Sequence, residues 1–320
     1  MLDKMQLGAS GYLMLCCLFW AFSFPLMKAL QSVGAAHAPG ESTLFLAASL
    51  VAWRFTLSGA ALALVLGKKL AGFRHLEVEQ GLGLGVFGGV GLVLQVDGLA
   101  YVQGSTSAFL TQGYCVWIPL WFVLVSRRLP PLSLLLATGA VVTGAAILAG
   151  LGTSQLHLGR GEWETLAGSL SFTGQILWVE RPKYAGNNTL RSTLIMFLVM
   201  AASAIPAALI LAEHPANILK PFLNTPALVL FGFLVIICTL ITFPLANHWQ
   251  PKVSATQAGL LYCTEPVFTS CVCLFLPGLF ERWWGLRYPN EQITWNLLAG
   301  GTLILGANIA IQLWPYRAKG

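Results

Sequence analysis

The chain has 320 residues, of which 56% are hydrophobic and 9% charged, and its formal net charge is +6. A soluble domain carries about 25% charged residues, so this surface could not be solvated by water and the bilayer must be its solvent. The basic residues lie in short loops between apolar runs, which excludes a nucleic-acid-binding face and reads as a membrane-topology signal.

Apolar runs of about 20 residues, the length of a membrane span, recur ten times. The first half holds Gly11–Leu30, Leu44–Leu66, Leu82–Tyr101, Ser105–Val125 and Leu132–Leu151. The second half holds Glu162–Val179, Leu190–Ala212, Ala227–Ala246, Ser254–Leu276 and Thr294–Trp314. The sixth run mixes polar and apolar residues and opens with Glu162 and Glu164, so it belongs inside the bundle, away from lipid. The expected fold is an all-α integral membrane protein of ten transmembrane helices.

Charge decides the expected orientation. With the N-terminus inside, the inner segments hold twelve basic residues, among them Lys4, Lys68, Lys69, Arg74, Arg127 and Arg128. The outer segments hold five: Lys28, Arg160, Lys220, Arg282 and Arg287. Twelve against five places both termini in the cytoplasm. The first run starts after Lys4 and is followed by Ala36-His37-Ala38, which resembles a signal-peptidase site. Its length and Lys28 at its far end argue for a retained helix.

The chain repeats itself. "SAFLTQGYCVWIP" (Ser107–Pro119) and "SATQAGLLYCTEP" (Ser254–Pro266) share Ser-Ala, ten residues and Pro. "GAVVTGAAI" (Gly139–Ile147) and "GTLILGANI" (Gly301–Ile309) share Gly, four residues and Gly-Ala-x-Ile. The offsets differ by an insertion, most simply the aromatic, charged loop around Trp283 and Trp284. Two repeats follow, residues 1–155 and 156–320. An odd number of helices in each turns the second upside down, the inverted repeat of many secondary transporters.

These segments resemble the paired five-helix units of the drug/metabolite transporter superfamily, in its EamA-like branch. In the first half, Trp20 in "FWAFSFPLMK", Arg54-Phe55, and the Ser107–Pro119 helix followed by Gly139 and Gly144 carry the likeness. In the second half, "SATQAGLLYCTEPVF" and "NEQITWNLLAGGTLILGA" carry it. "SRRLPP" departs from the acidic residue that the family has after its fourth helix. The resemblance implies a cavity walled by helices one to four and six to nine, with five and ten at the periphery. It also implies a transporter of small metabolites, more often an exporter, in a bacterial inner membrane.

Glu265 is the sharpest candidate site residue, a carboxylate inside an apolar run with Pro266 directly behind it. Such a group can exchange a proton or receive a substrate ammonium, so it is also the candidate for proton coupling. A structural ion pair is the alternative. Pro266 and its repeat mate Pro119 are expected to kink their helices and free backbone carbonyls. Arg54, midway along the second run, can bind a carboxylate, with a substrate acid, Glu265 and Asp97 all open as partners. Gln112 and Gln257 are candidate cavity polar groups, and Gln95 shares that reading. Asp97, near a helix end, is expected at solvent, and Lys28 is expected to snorkel to the interface. Trp20, Trp117, Trp178 and Tyr262 lie deep enough to wall a cavity, with core packing as the alternative. Trp249, Trp283, Trp284, Trp295 and Trp314 read as interface anchors.

Other signals are weak. The seven cysteines all fall in apolar runs without metal-site spacing and read as packing residues, so neither a disulfide framework, a metal nor a cofactor is expected. "GLGVFG" (Gly83–Gly88) matches a nucleotide-binding fingerprint but lies in an apolar run; Gly81, Gly85 and Gly89 instead form a small-residue stripe for close helix approach. The five histidines are scattered in loops and at helix ends, which argues against an intramembrane enzyme. The expected function is secondary transport of a small organic solute, foremost an amino acid or related zwitterion, with nucleotide sugars and cationic drugs as alternatives. The expected partners are that solute and the lipid bilayer, without nucleic acid, and a homodimer is left open.

Overall fold

The structure, a computed structural model, describes residues 4–70, 72–127, 132–148, 159–286 and 288–313. Residues 149–151 of the fifth predicted run lie outside these, as do Arg128, Arg287 and Trp314.

All regular structure among the described residues is helical. In chain order the first half of the chain holds α1 (Lys4–His37), α2 (Thr43–Leu66), α3 (His75–Gly98), α4 (Gly104–Thr111), α5 (Tyr114–Ser126) and α6 (Leu132–Leu148). The second half holds α7 (Arg160–Val179), α8 (Thr189–Leu211), α9 (Thr225–Val235), α10 (Thr242–Trp249), α11 (Ala255–Tyr262), α12 (Glu265–Cys273), α13 (Leu276–Trp284) and α14 (Trp295–Leu313). Several starts are set by polar residues ahead of an apolar run. Ser42 accepts from Phe45 N, Asn224 from Ala227 N and Ser254 from Gln257 N, each satisfying an orphan helix donor.

The described part of each predicted run falls mainly on helix, and six helical stretches among the described residues are long and apolar enough to cross a membrane. The bent pair α11–α12 with α13, which turns by 41°, makes a seventh if taken as one span. α7 is too polar to qualify, and α6 and α14 hold shorter apolar stretches, Leu135–Gly144 and Trp295–Ala307. α7 buries its small and hydroxyl residues, among them Gly161, Thr165, Gly168, Ser169 and Thr173, which is how a polar helix is accommodated within a bundle.

α3 is the spine. Its glycine stripe brings it onto α8, where a Cβ at Gly81 or Gly85 would stand 2.5 Å from Ile195 Cβ or Val199 Cβ. The glycines on its other side, Gly91 and Gly98, meet Phe172 and Gly161 of α7 in the same way. Without side chains at these positions the backbones approach closely, and van der Waals contact replaces the hydrophobic driving force that lipid cannot supply. α6 and α14 pack on each other at the edge of the bundle, with Gly144 against Gly300 O and Ile304.

The two Ser-to-Pro segments are broken helices. α4 gives way to α5 across Gln112 and Gly113, and α11 to α12 across Cys263 and Thr264. The prolines sit differently from a simple kink. Pro119 lies inside α5, six residues after the break, whereas Pro266 occupies the first turn of α12, where a missing N–H costs nothing.

Candidate functional site

The breaks border a cavity of about 100 Å³, walled by α1, α2, α3, α4, α5, α7, α10, α11 and α12. Glu265 lines it from the first position of α12 and is 7% exposed. A helix N-terminus favours a carboxylate, because unpaired backbone N–H groups and the helix dipole present positive charge there. Gln112 lies beside this carboxylate. Among the described residues no cation pairs with Glu265.

The aromatic wall is built around Trp20. Its ring meets Tyr262 and Phe243 edge-on, with centroids 5.7 and 5.4 Å apart, and its Nε1–H is buried without an acceptor. Tyr262 Oη donates to Gln250 Oε1 at 2.8 Å, and Gln250 Nε2 donates to Ile176 O at 3.1 Å. This chain ties α11 to α7 at one end of the cavity. Towards the other end, Gln95 Nε2 donates to Thr111 Oγ1 at 2.7 Å, joining α3 to α4.

Arg54 lines the same cavity from α2 and is 1% exposed. Its partners lie on one π-helical turn, Ile236–Ile241, between α9 and α10. Nε donates to Thr239 Oγ1 at 2.7 Å and Nη2 to Cys238 O at 3.3 Å, while Nη1 faces Met27 Sδ at 3.4 Å. A π turn loosens the regular ladder, and carbonyls there become available to outside donors. The guanidinium is therefore held by neutral groups. Neither Glu265 nor Asp97 pairs with it, and it has no carboxylate partner among the described residues.

The fold has solved counterparts. A crystal structure of a protein superposes over 95% of this chain and 99% of its own, with a TM-score of 0.58 and 17% identity. At that identity the likeness speaks to the fold alone. No family model matches the sequence, and no curated protein matches it.

Four of the eight residues singled out from sequence, Trp20, Arg54, Tyr262 and Glu265, meet at the cavity. The other four do not line it. Gln112 is buried in the break and donates to Ala108 O, while the preceding residue, Thr111, faces the cavity. Trp117 points to α7, where Nε1 donates to Ser169 Oγ. Trp178 packs against Phe87 and lies under the Arg181 guanidinium, 3.8 Å from its ring centroid. Gln257 caps α11 through Ser254 N. One further expectation is corrected. Asp97 is fully buried and pairs with Arg160 at 2.5 Å, because α7 starts against the end of α3. Lys28 donates to Leu99 O and Val102 O, the carbonyls where α3 gives out.

Sequence reasoning passed over Tyr114, Phe172, Phe243, Gln175, Asn247 and Gln250, which also line it. Asn247 and Gln250 follow a polar-in-apolar pattern like that of Gln95 and were findable. The π turn that seats Arg54 leaves no mark in "VIICTLITF". Among the described residues no cluster of His, Cys, Asp and Glu could hold a metal ion.

Proposed function

We propose that this chain is a secondary transporter of the drug/metabolite type that moves a small zwitterionic solute, an amino acid or a close relative. One observation carries the reading. Arg54 and Glu265, opposite in charge and both buried, line a single cavity, and neither is paired with the other or with another described charge. A charge at bilayer depth costs about 2.5–3.5 kcal/mol on insertion scales, so two uncompensated ones call for a ligand that complements both. The ammonium of a zwitterion would meet Glu265 and its carboxylate the remaining Arg54 donors. Glu265 also serves as the proton-coupling group, taking a proton when the site is empty.

Two contacts support the inverted-repeat reading. Each pair of matching segments meets its mate: Cys115 of α5 touches Cys263 at the end of α11, and Gly144 of α6 packs on α14. In this reading the ten runs are ten spans, α7 being screened from lipid, and both termini are cytoplasmic in a bacterial inner membrane. The protein exports its substrate and performs no covalent chemistry on it. The test is uptake of a labelled amino-acid panel into proteoliposomes, with each substrate paired with its N-acetyl and ester forms. The expected result is flux of a free zwitterion that drops at least tenfold when either charge is masked. Flux indifferent to both maskings, or no flux of any panel member, would sink the proposal.

A further inference from the structure

The two broken helices meet at a pair of cysteines. Cys115 lies in the first turn of α5, and Cys263 caps α11 in the break before α12. Their Sγ atoms face each other at 2.6 Å across 148 residues of sequence. Both thiols also point at one acceptor, Gly259 O, at 3.3 Å each. Gly259 leaves little room beside it: a Cβ there would stand 3.1 Å from Ile118 Cδ1. Three of the other buried cysteines are occupied separately, Cys16 with Thr242 O, Cys17 with Leu261 O and Cys238 with Phe19 O.

We propose that Cys115 and Cys263 form an oxidation site, a dithiol that a small hydroperoxide converts into a disulfide joining the two halves of the protein. Hydrogen peroxide first oxidises one thiol: the O–O bond breaks, an S–O bond forms and water leaves. The second thiol then attacks that sulfur, the S–O bond breaks, the S–S bond forms and a second water leaves. Two thiols and one peroxide become one disulfide and two waters, with two electrons passing to the peroxide. Both thiols are buried, which restricts the site to small oxidants able to enter the bilayer. A narrow cavity reaches Cys115 beside Pro119, Thr138 and Gly259. The second step is intramolecular between atoms already in contact, and that removes the entropic cost of encounter. The disulfide pins α5 to α11 at the cavity wall, so it fixes the two breaks relative to each other.

The experiment needs no knowledge of the substrate. The full chain in lipid nanodiscs is treated with hydrogen peroxide, then denatured, alkylated and digested for peptide mapping by mass spectrometry. The expected product is a peptide pair linked through Cys115 and Cys263, lighter by two hydrogen atoms and released by dithiothreitol. Two alkylatable thiols are lost, and oxidised protein melts at higher temperature than reduced protein. Cys115→Ser and, separately, Cys263→Ser abolish the link and the shift in melting. Full alkylation of both cysteines after oxidation, or sulfinic acid at either one without cross-link, would overturn the proposal. Because the readout is covalent, its failure leaves the transport reading standing, and a transport failure leaves the dithiol standing.

Discussion

Arg54 and Glu265, one basic and one acidic, line one cavity and do not pair with each other. Each is seated by neutral groups: Arg54 by a side-chain hydroxyl and a backbone carbonyl of the π turn, Glu265 by the Gln112 side chain. Direct pairing would have neutralised the cavity. Keeping the charges apart leaves both open to a third party.

If Glu265 is the coupling group of the proposed transporter, Glu265→Gln should separate coupling from passage. The substitution removes titration and keeps size, so the proteoliposome experiment should show gradient-driven uptake falling at least tenfold while substrate exchange persists. Equal behaviour of the two proteins under a pH gradient would make Glu265 structural.

Arg54→Met tests whether the guanidinium is kept for stability. Replacing buried charge with apolar bulk is often neutral or stabilising, by about 1–4 kcal/mol for whole pairs, and Thr239 retains its own bond to Leu234 O. The variant should therefore melt no lower than the native protein in detergent yet lose substrate binding. Arg54→Lys should lose binding as well, because an ammonium cannot reproduce the guanidinium fork. A large drop in melting temperature for Arg54→Met would assign the residue to the fold instead.

The Asp97–Arg160 pair predicts an asymmetric mutant series. Arg160→Ala strands a fully buried carboxylate, which in buried pairs costs about 3–5 kcal/mol. The half-exposed arginine puts this case near or below the low end. Asp97→Asn keeps the shape and removes the charge, so it should cost less. The double variant should recover part of the Arg160→Ala loss, as thermal unfolding in one detergent would reveal.

The α3 stripe offers a packing test with an internal control. Gly81→Ala and Gly85→Ala force a methyl group into Ile195 or Val199 and should each cost about 1–3 kcal/mol. Gly139→Ala on α6, with nothing within 4 Å of its Cβ position, should change stability by only a few tenths. Equal melting of all three would mean that α3 and α8 are not pressed together.

The helical runs and the glycine stripe were legible in the sequence because both are one-dimensional patterns: apolar length for the first, a four-residue period for the second. The site was legible only in part. Reading Ser107–Pro119 as one straight helix keeps its phase constant, but the break at Gln112 and Gly113 resets it, which turns Thr111 to the cavity and Trp117 to Ser169. Across Cys263 and Thr264 the reset is milder, and Tyr262 and Glu265 both keep the cavity face. Asp97 could not be placed from its own neighbourhood, since its burial depends on Arg160, 63 residues later. Arg54 was visible as a charge in an apolar run. Its partners were not, because a π turn is a backbone state without a composition of its own.

That π turn also sets the frame in which the rest of its span is read. It spends one residue more per turn than an α-helix, so whatever follows is rotated by about 100° from where a regular helix would put it. Phe243, Ala246 and Asn247 owe their cavity-facing positions to this offset. Deleting one residue between 236 and 241 would leave composition and span length almost untouched. It would still turn all three side chains out of the cavity together and withdraw the carbonyl that holds Arg54. For this helix the number of residues matters as much as their identity, and a single in-frame codon loss should be worse than most substitutions.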